Sequence, residues 1–397
     1  MGCRLHLPPA GHQTRAAELR MGGRASMTVW GMVADDLTGA VDAAAGFSAM
    51  GLPAIVACEG IDTPLDEGVT VVVTGARAWD PELSTAATQT AVETLVRGGA
   101  ERLFVKIDST ARGSTRYQIL GALTGWSARE PDAAAVICPA FPALGRVVRG
   151  ACVFVHDVPL ALSPASSDAV TPVDESDLRA ILDARPVRVG DTVRPGERVV
   201  LDAQTDEDLD DVAATILAAG PSAIAVGSGG LAAALGRAEP ATWPASTDSQ
   251  RVDGPIMVAV SSRHPRALAQ LDALSSAASD VRVFTTSREW TAPAVAAQEL
   301  AARVAVAVEA TRPAALVLVG GDGASRILHA LGARRLRVRG ALTPGSGLST
   351  IEGGIVSGVP VVTKSGGFGP DDELLTLVER LRRPRFSSTL LEPKDPS

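Results

Sequence analysis

The sequence predicts an α/β fold of two domains, each a mostly parallel sheet flanked by helices, with a ligand cleft between them. Three observations lead there. The chain has 397 residues, the size of two ordinary domains. Short, nearly continuous apolar runs alternate with helical patterns, as in parallel sheets covered on both faces. Several of these runs end in loops rich in glycine or charge, where open α/β sheets hold their ligands.

The elements follow in order. Residues 1–26 are irregular and rich in Arg and Gly, without the apolar core of a signal peptide. They read as a disordered leader. The first strand pattern covers 29–34, followed by the loop 35–40 and an Ala-rich helix over 41–50. Further strands are expected at 53–58 and 69–74, then a helix over 84–98 that stops at Gly98-Gly99. The strand at 103–107 opens into a polar loop and a helical pattern carried by Ile119, Leu120 and Leu123. Another strand covers 134–138. Between 144 and 199 Pro, Asp and Ser interrupt the pattern, and an irregular excursion is expected. Regularity returns with a strand at 199–202, a helix over 206–219 and a strand at 223–226.

Residues 238–254 read as the linker between a first domain over 27–237 and a second over 255–385, with 386–397 as a tail. The second domain repeats the style. Strands are expected at 256–260, 281–285, 315–319 and 359–363, and helices over 265–275, 294–310 and 324–331.

Composition narrows the functional classes. Hydrophobic residues make up 46% of the chain but aromatics only 3%, so the cores must be built from Ala, Val and Leu. The net charge of −8 with no long basic run argues against nucleic acid as a partner. No stretch is long and apolar enough to span a bilayer. The four cysteines, at 3, 58, 138 and 152, lack Cys-x-x-Cys spacing and clustered His. That disfavours structural zinc and a disulfide framework, and fits reduced thiols in the cytoplasm. No motif specifies an oligomer, although a homodimer is compatible with the sequence.

The strand-end loops carry the chemistry. Lys106, Asp108, Ser109 and Arg112 lie within seven residues. Lys and Arg can grip a carboxylate or phosphate there, and an Asp can orient or deprotonate a hydroxyl. Asp35 and Asp36 form a second acidic pair before a helix, where helix capping by one of them is the plain alternative. Arg146, after Pro139-Ala140-Phe141-Pro142, belongs to a third loop. In the second half, Ser261-Ser262, Gly320-Gly321-Asp322-Gly323 and Ser365-Gly366-Gly367-Phe368-Gly369 follow strands. Glycine lets backbone amides approach a phosphate, and two such loops in one domain favour a nucleotide site. A Walker loop and a dinucleotide Gly-x-Gly-x-x-Gly loop after the first strand are both missing, which disfavours P-loop enzymes and dehydrogenases.

Taken in order, these motifs resemble the four-carbon acid sugar kinases across about 27–381. The carriers are Ala34-Asp35-Asp36-Leu37-Thr38-Gly39-Ala40, Lys106-Ile107-Asp108-Ser109-Thr110 with Arg112-Gly113, and Pro139-Ala140-Phe141-Pro142 with Gly145-Arg146. Gly227-Ser228-Gly229-Gly230-Leu231-Ala232, Gly320-Gly321-Asp322, Pro344-Gly345 and Thr363-Lys364-Ser365-Gly366-Gly367-Phe368-Gly369 complete the set. The resemblance implies an N-terminal sugar-acid domain and a C-terminal nucleotide domain. It also implies phosphorylation of the terminal hydroxyl of threonate, erythronate or 3-oxo-tetronate with ATP and a divalent metal, expected to be Mg²⁺.

Under that resemblance Asp35, Lys106, Asp108, Ser109, Arg112 and Arg146 line the acid pocket. Ser262, Gly320, Gly321, Asp322, Gly323, Gly366 and Gly367 hold ATP. The proton acceptor would be Asp35 or Asp36, with Asp108 as the other candidate, and no residue is singled out for the metal. A sensor that binds the acid without catalysis, and a kinase of another polyhydroxy acid, remain the alternatives. The chain departs from the family pattern at five places. The usual Gly-Ser reads Ser261-Ser262, and His264 replaces a hydroxyl residue. Ala267 and Gly323 each replace Thr, and Ala341 replaces Glu.

Overall fold

In the computed structural model the described residues are 5–7, 28–61, 64–168, 170–239, 251–286 and 292–383. The chain builds one 14-stranded sheet in which two parallel halves are joined by antiparallel strands. The first half runs, from its outer edge, Arg185–Pro186, Arg198–Val200, Ala134–Cys138, Ala223–Gly227, Arg102–Lys106, Val29–Ala34, Gly68–Val73 and Ala54–Ala57, all parallel. Arg335–Thr343 then pairs antiparallel with Ala54–Ala57, and Ser346–Glu352 antiparallel with Arg335–Thr343. Pro360–Lys364, Ala315–Val319, Ile256–Val260 and Arg282–Thr285 complete the second, parallel half.

The strands Ala134–Cys138, Ala223–Gly227, Ile256–Val260 and Ala315–Val319 are buried at every position. Their continuous apolar runs follow from having both faces covered. The helix α1, Leu37–Ala49, is buried through Ala40, Val41, Ala43, Ala44, Ala45 and Phe47. It packs on the later helix Gly229–Ala238 and on both antiparallel strands. Small residues permit that approach, since a Cβ on Gly46 would lie 2.7 Å from the Ala233 backbone. The scarce aromatics cluster here, with Phe47 between Trp30 and Phe104 at centroid distances of 5.4 and 6.4 Å.

The two-domain α/β expectation holds, and the structure adds the seam. The antiparallel strands 335–352 join the second half to the first, so the halves share a sheet instead of meeting as separate ones. The irregular excursion contains a small antiparallel sheet, Arg146–Arg149, Cys152–Val155 and Val158–Pro159. Within the segment read as a leader, Leu5–His6 pairs with Thr192–Val193 and Leu7 is fully buried. The rest of that segment, residues 240–250 of the linker, and the tail lie outside the described residues. Cys58, Cys138 and Cys152 are free thiols. Among the described residues no helix is long and apolar enough to cross a membrane.

Candidate active site

Two helices begin at one cleft and a third begins beside it, and the cleft encloses about 370 Å³ of space open to solvent. Asp36 caps α1, its Oδ1 accepting the Gly39 amide at 3.0 Å and its Oδ2 the Thr38 hydroxyl at 2.7 Å. Ser228 caps α2, Gly229–Ala238, accepting the Gly230 amide at 3.1 Å and donating to the Ala140 carbonyl at 2.7 Å. The third helix, α3, spans Gly321–Ala330. Helix starts present free amides and a partial positive charge, a setting suited to an anionic ligand.

A guanidinium that the sequence did not single out organises the first half of the site. Arg77 follows Gly75, which turns the chain at φ +68°. Arg77 grips both oxygens of Asp35 at 2.7 Å and Asp36 Oδ1 at 3.0 Å, and lies 3.8 Å from Asp108. Asp108 is also forked by Arg112, through Nε at 3.0 Å and Nη2 at 2.7 Å, and accepts the Thr110 amide and hydroxyl. The loop is tightly wound, with Ala111 at φ +52° and 2% exposed. Such a conformation is uncommon for a residue with a Cβ.

These contacts set the charge states. Burial opposes ionisation of Asp36, but Arg77, Lys106 and its hydrogen bonds hold its carboxyl below the usual range. Burial likewise opposes ionisation of Asp108, yet Arg112 and Arg77 hold it well below that range. Both are fixed anions. Asp42, in the second turn of α1, is different. Burial pushes its carboxyl up to about 6 against the pull of Lys106 and the Gly345 amide.

The predicted residues distribute as follows. Asp36, Lys106, Asp108 and Ser109 line the cleft with Thr38, Asp42, Arg77 and Phe141. Lys106 is 5% exposed, and its Nζ donates to the Ile107 carbonyl at 2.8 Å. Asp35 lies beneath the wall, 1% exposed and locked by Arg77. Arg112 is engaged outward by Asp168 at 2.5 Å. Arg146 stacks on Phe368 of the second half, 4.5 Å from its ring centroid.

The glycine loops of the second half converge. Gly320 turns the chain at φ +100°, so the Gly-Gly-Asp-Gly motif forms the first turn of α3 and not a loop ahead of it. A Cβ on Gly320 would lie 2.5 Å from Ser261 Oγ, and one on Gly366 would lie 1.9 Å from Ser262 Oγ. A Cβ on Gly367 would lie 3.4 Å from His264 Nε2. Glycine at these positions lets the three strand-end loops pack against one another, forming a cradle whose walls are bare backbone and the Ser261, Ser262 and His264 side chains. Asp322 points outward to Arg326 at 3.2 Å and takes no part in the cradle floor. The Ser365–Phe368 turn is tied down by Lys364, whose Nζ donates to the Ser365 and Phe368 carbonyls at 2.8 and 2.7 Å. The cradle lies beside Asp36, since a Cβ on Gly321 would lie 2.9 Å from its Oδ2.

Comparison with known proteins bears on this arrangement. A family model described as a sugar-binding N-terminal domain matches residues 30–235, and one described as a nucleotide-binding C-terminal domain matches 231–374. A D-threonate kinase of Bordetella bronchiseptica is 34% identical, over 90% of this chain and 98% of its own. The chain belongs to the four-carbon acid sugar kinase family. A D-erythronate kinase of Heliobacterium modesticaldum is 25% identical, over 88% of this chain and 96% of its own. A Salmonella typhimurium crystal structure titled a putative tRNA synthase shares the fold. Its TM-score is 0.67 at 19% identity, over 88% of this chain and 98% of its own.

Ser261 and Gly323, two of the positions singled out in the sequence, are coupled in space. A Cβ on Gly323 would lie 2.2 Å from both Cβ and Oγ of Ser261. The Ser261 hydroxyl, which donates to the Val319 carbonyl at 2.9 Å, fills the place a side chain at 323 would take. Gly323→Thr alone should therefore weaken nucleotide binding or lower the melting temperature. Adding Ser261→Gly should restore both. Equal behaviour of the single and double variants in nucleotide titrations and thermal melts would refute the exchange.

Proposed function

We propose that this protein is an ATP-dependent kinase of a four-carbon sugar acid. It transfers the γ-phosphoryl group to the terminal hydroxyl and yields the 4-phosphate, with D-threonate as the first candidate acceptor. The observation that carries this reading is the close approach of the Asp36 carboxylate, on the acid side, to Gly321 of the cradle, where a side chain at 321 would have no room. An acceptor beside Lys106 and Ser109 and a nucleotide on the glycine amides would meet there, and phosphoryl transfer depends chiefly on such positioning and charge.

In this reading Lys106, Ser109, Arg112 and Arg146 hold the acid. Gly320, Gly321, Gly323, Gly366, Gly367 and Ser262 hold ATP. Asp35 and Asp108 keep Arg77 and Arg112 in place, because their oxygens are already taken by guanidinium. Among the described residues no cluster of three or more His, Cys, Asp or Glu could hold a metal. That suits Mg²⁺, which needs only one or two carboxylates beside phosphate oxygens. Asp36 is the cleft carboxylate that approaches Gly321 and would serve it, and the ion would neutralise charge on the transferring group. The free thiols are in keeping with a reducing cytoplasm.

The test is ADP release from Mg-ATP in the presence of D-threonate, L-threonate, D- and L-erythronate and 3-oxo-tetronates. Turnover is expected with D-threonate and absent without an acid. Binding of an acid with neither turnover nor ATP binding would instead mark a sensor.

A further inference from the structure

Four carboxylates reach the cleft or its wall, and three are spent on other contacts. Both oxygens of Asp35 accept from Arg77. Asp36 accepts from Thr38, Gly39 and Arg77. Asp108 accepts from Thr110, Arg112 and, at longer range, Arg77. A carboxylate saturated by donors and guanidinium is a poor proton acceptor, since protonation would break those contacts.

Asp42 is unlike them. It is partly buried in the cleft wall, and Oδ1 accepts one hydrogen bond, from the Gly345 amide at 3.0 Å. Oδ2 accepts none among the described residues and faces Gly229 at the start of α2. A Cβ on Gly229 would lie 2.2 Å from that oxygen, so the glycine leaves the carboxyl its space. No cation stands within ion-pair distance of Asp42 among the described residues; Lys106 and Asp36 are the charged groups that face it.

We infer that Asp42, through Oδ2, is the group that takes the proton from the reacting hydroxyl of the acid. This deepens the kinase reading and rests on it. As the substrate O–H bond breaks, its oxygen forms the new bond to the γ-phosphorus. The bond from that phosphorus to the bridging oxygen breaks, and ADP leaves with the electron pair. The proton passes to Asp42 and then to solvent. The Gly345 amide belongs to the turn between the two antiparallel strands, so the second half holds the carboxyl in place. An acceptor poised near the working pH is the arrangement general-base catalysis favours.

Asp42→Asn is close to isosteric, and its amide oxygen can keep the Gly345 bond. It should lower kcat by about 10²–10⁴-fold with ATP affinity and melting temperature near those of the wild type. Wild-type kcat/KM should fall with unit slope on the acid side, below an inflection that reports this carboxyl, raised by burial to about 6 in the free protein, and that limb should vanish in the variant. Retention of more than a tenth of kcat in Asp42→Asn would overturn the inference. So would a wild-type profile without the acid limb, which needs no variant to fold. Absence of wild-type turnover with every acid tested would overturn the kinase reading beneath it.

Discussion

Arg77→Ala should cost the protein both its stability and its turnover. The guanidinium is shared by Asp35 and Asp36 within hydrogen-bond distance and by Asp108 at 3.8 Å. Removing one partner of a buried ionic network leaves the others uncompensated, at a cost of about 3–5 kcal/mol. Displaced carboxylates at the reacting centre should then reduce kcat to about a hundredth or less. Arg77→Lys keeps the charge but not the fork, and should fall between the two. The network also has a pH signature. The carboxyls of Asp36 and Asp108 are held below the usual 3.8. Their contribution is therefore complete above that value and is lost as pH falls through the lowered ones. Urea melts across the acid range should show a shallower loss in Arg77→Ala than in the wild type. Melts and kcat that match the wild type would refute the central place of Arg77.

The second large effect is expected at Gly39→Ala, where two rules oppose each other. Within a helix, Ala is ordinarily favoured over Gly by about 1 kcal/mol. Here the added Cβ would lie 2.4 Å from Asp36 Oδ1 and 2.7 Å from Lys106 Nζ. It would press on the cap of α1 and on the buried ammonium together. Overpacking of this kind costs about 1–3 kcal/mol, so the net sign is destabilising. Turnover should suffer more, because displacing positioning groups by about 1 Å can cost on the order of a hundredfold. A variant as stable and active as the wild type would show that the side chains yield.

Much of the fold and part of the site are legible in the sequence, for definable reasons. Strand runs buried on both faces leave a continuous apolar signal. The strand-end loops stand out because several unusual residue types crowd into few positions, as in Lys106 to Arg112. Arg77 stands apart from its partners: it lies 41 and 42 positions from the acids it serves, and only the parallel pairing of Val29–Ala34 with Gly68–Val73 brings them together. Asp42 reads as an ordinary helix acid, and the Gly345 amide beside it comes from 303 residues away. The first antiparallel strand is hidden by arginine. Leu336, Val338 and Leu342 are buried in alternation, but Arg335 and Arg337, which flank Leu336, pair with Glu352. Read without that partner, the segment looks like charged surface.

The shared sheet has a consequence for what the connection between the halves does. Ala54–Ala57 is bonded to Arg335–Val338 along its length, α1 packs on both antiparallel strands, and Ser48 reaches the Val338 carbonyl at 3.1 Å. These contacts across the seam fix one half against the other. A chain cut between residues 239 and 251 should therefore still run as a single particle in gel filtration. Opening of the cleft must then bend the seam itself, so the stiffness of two hydrogen-bonded ribbons governs how far the site can gape.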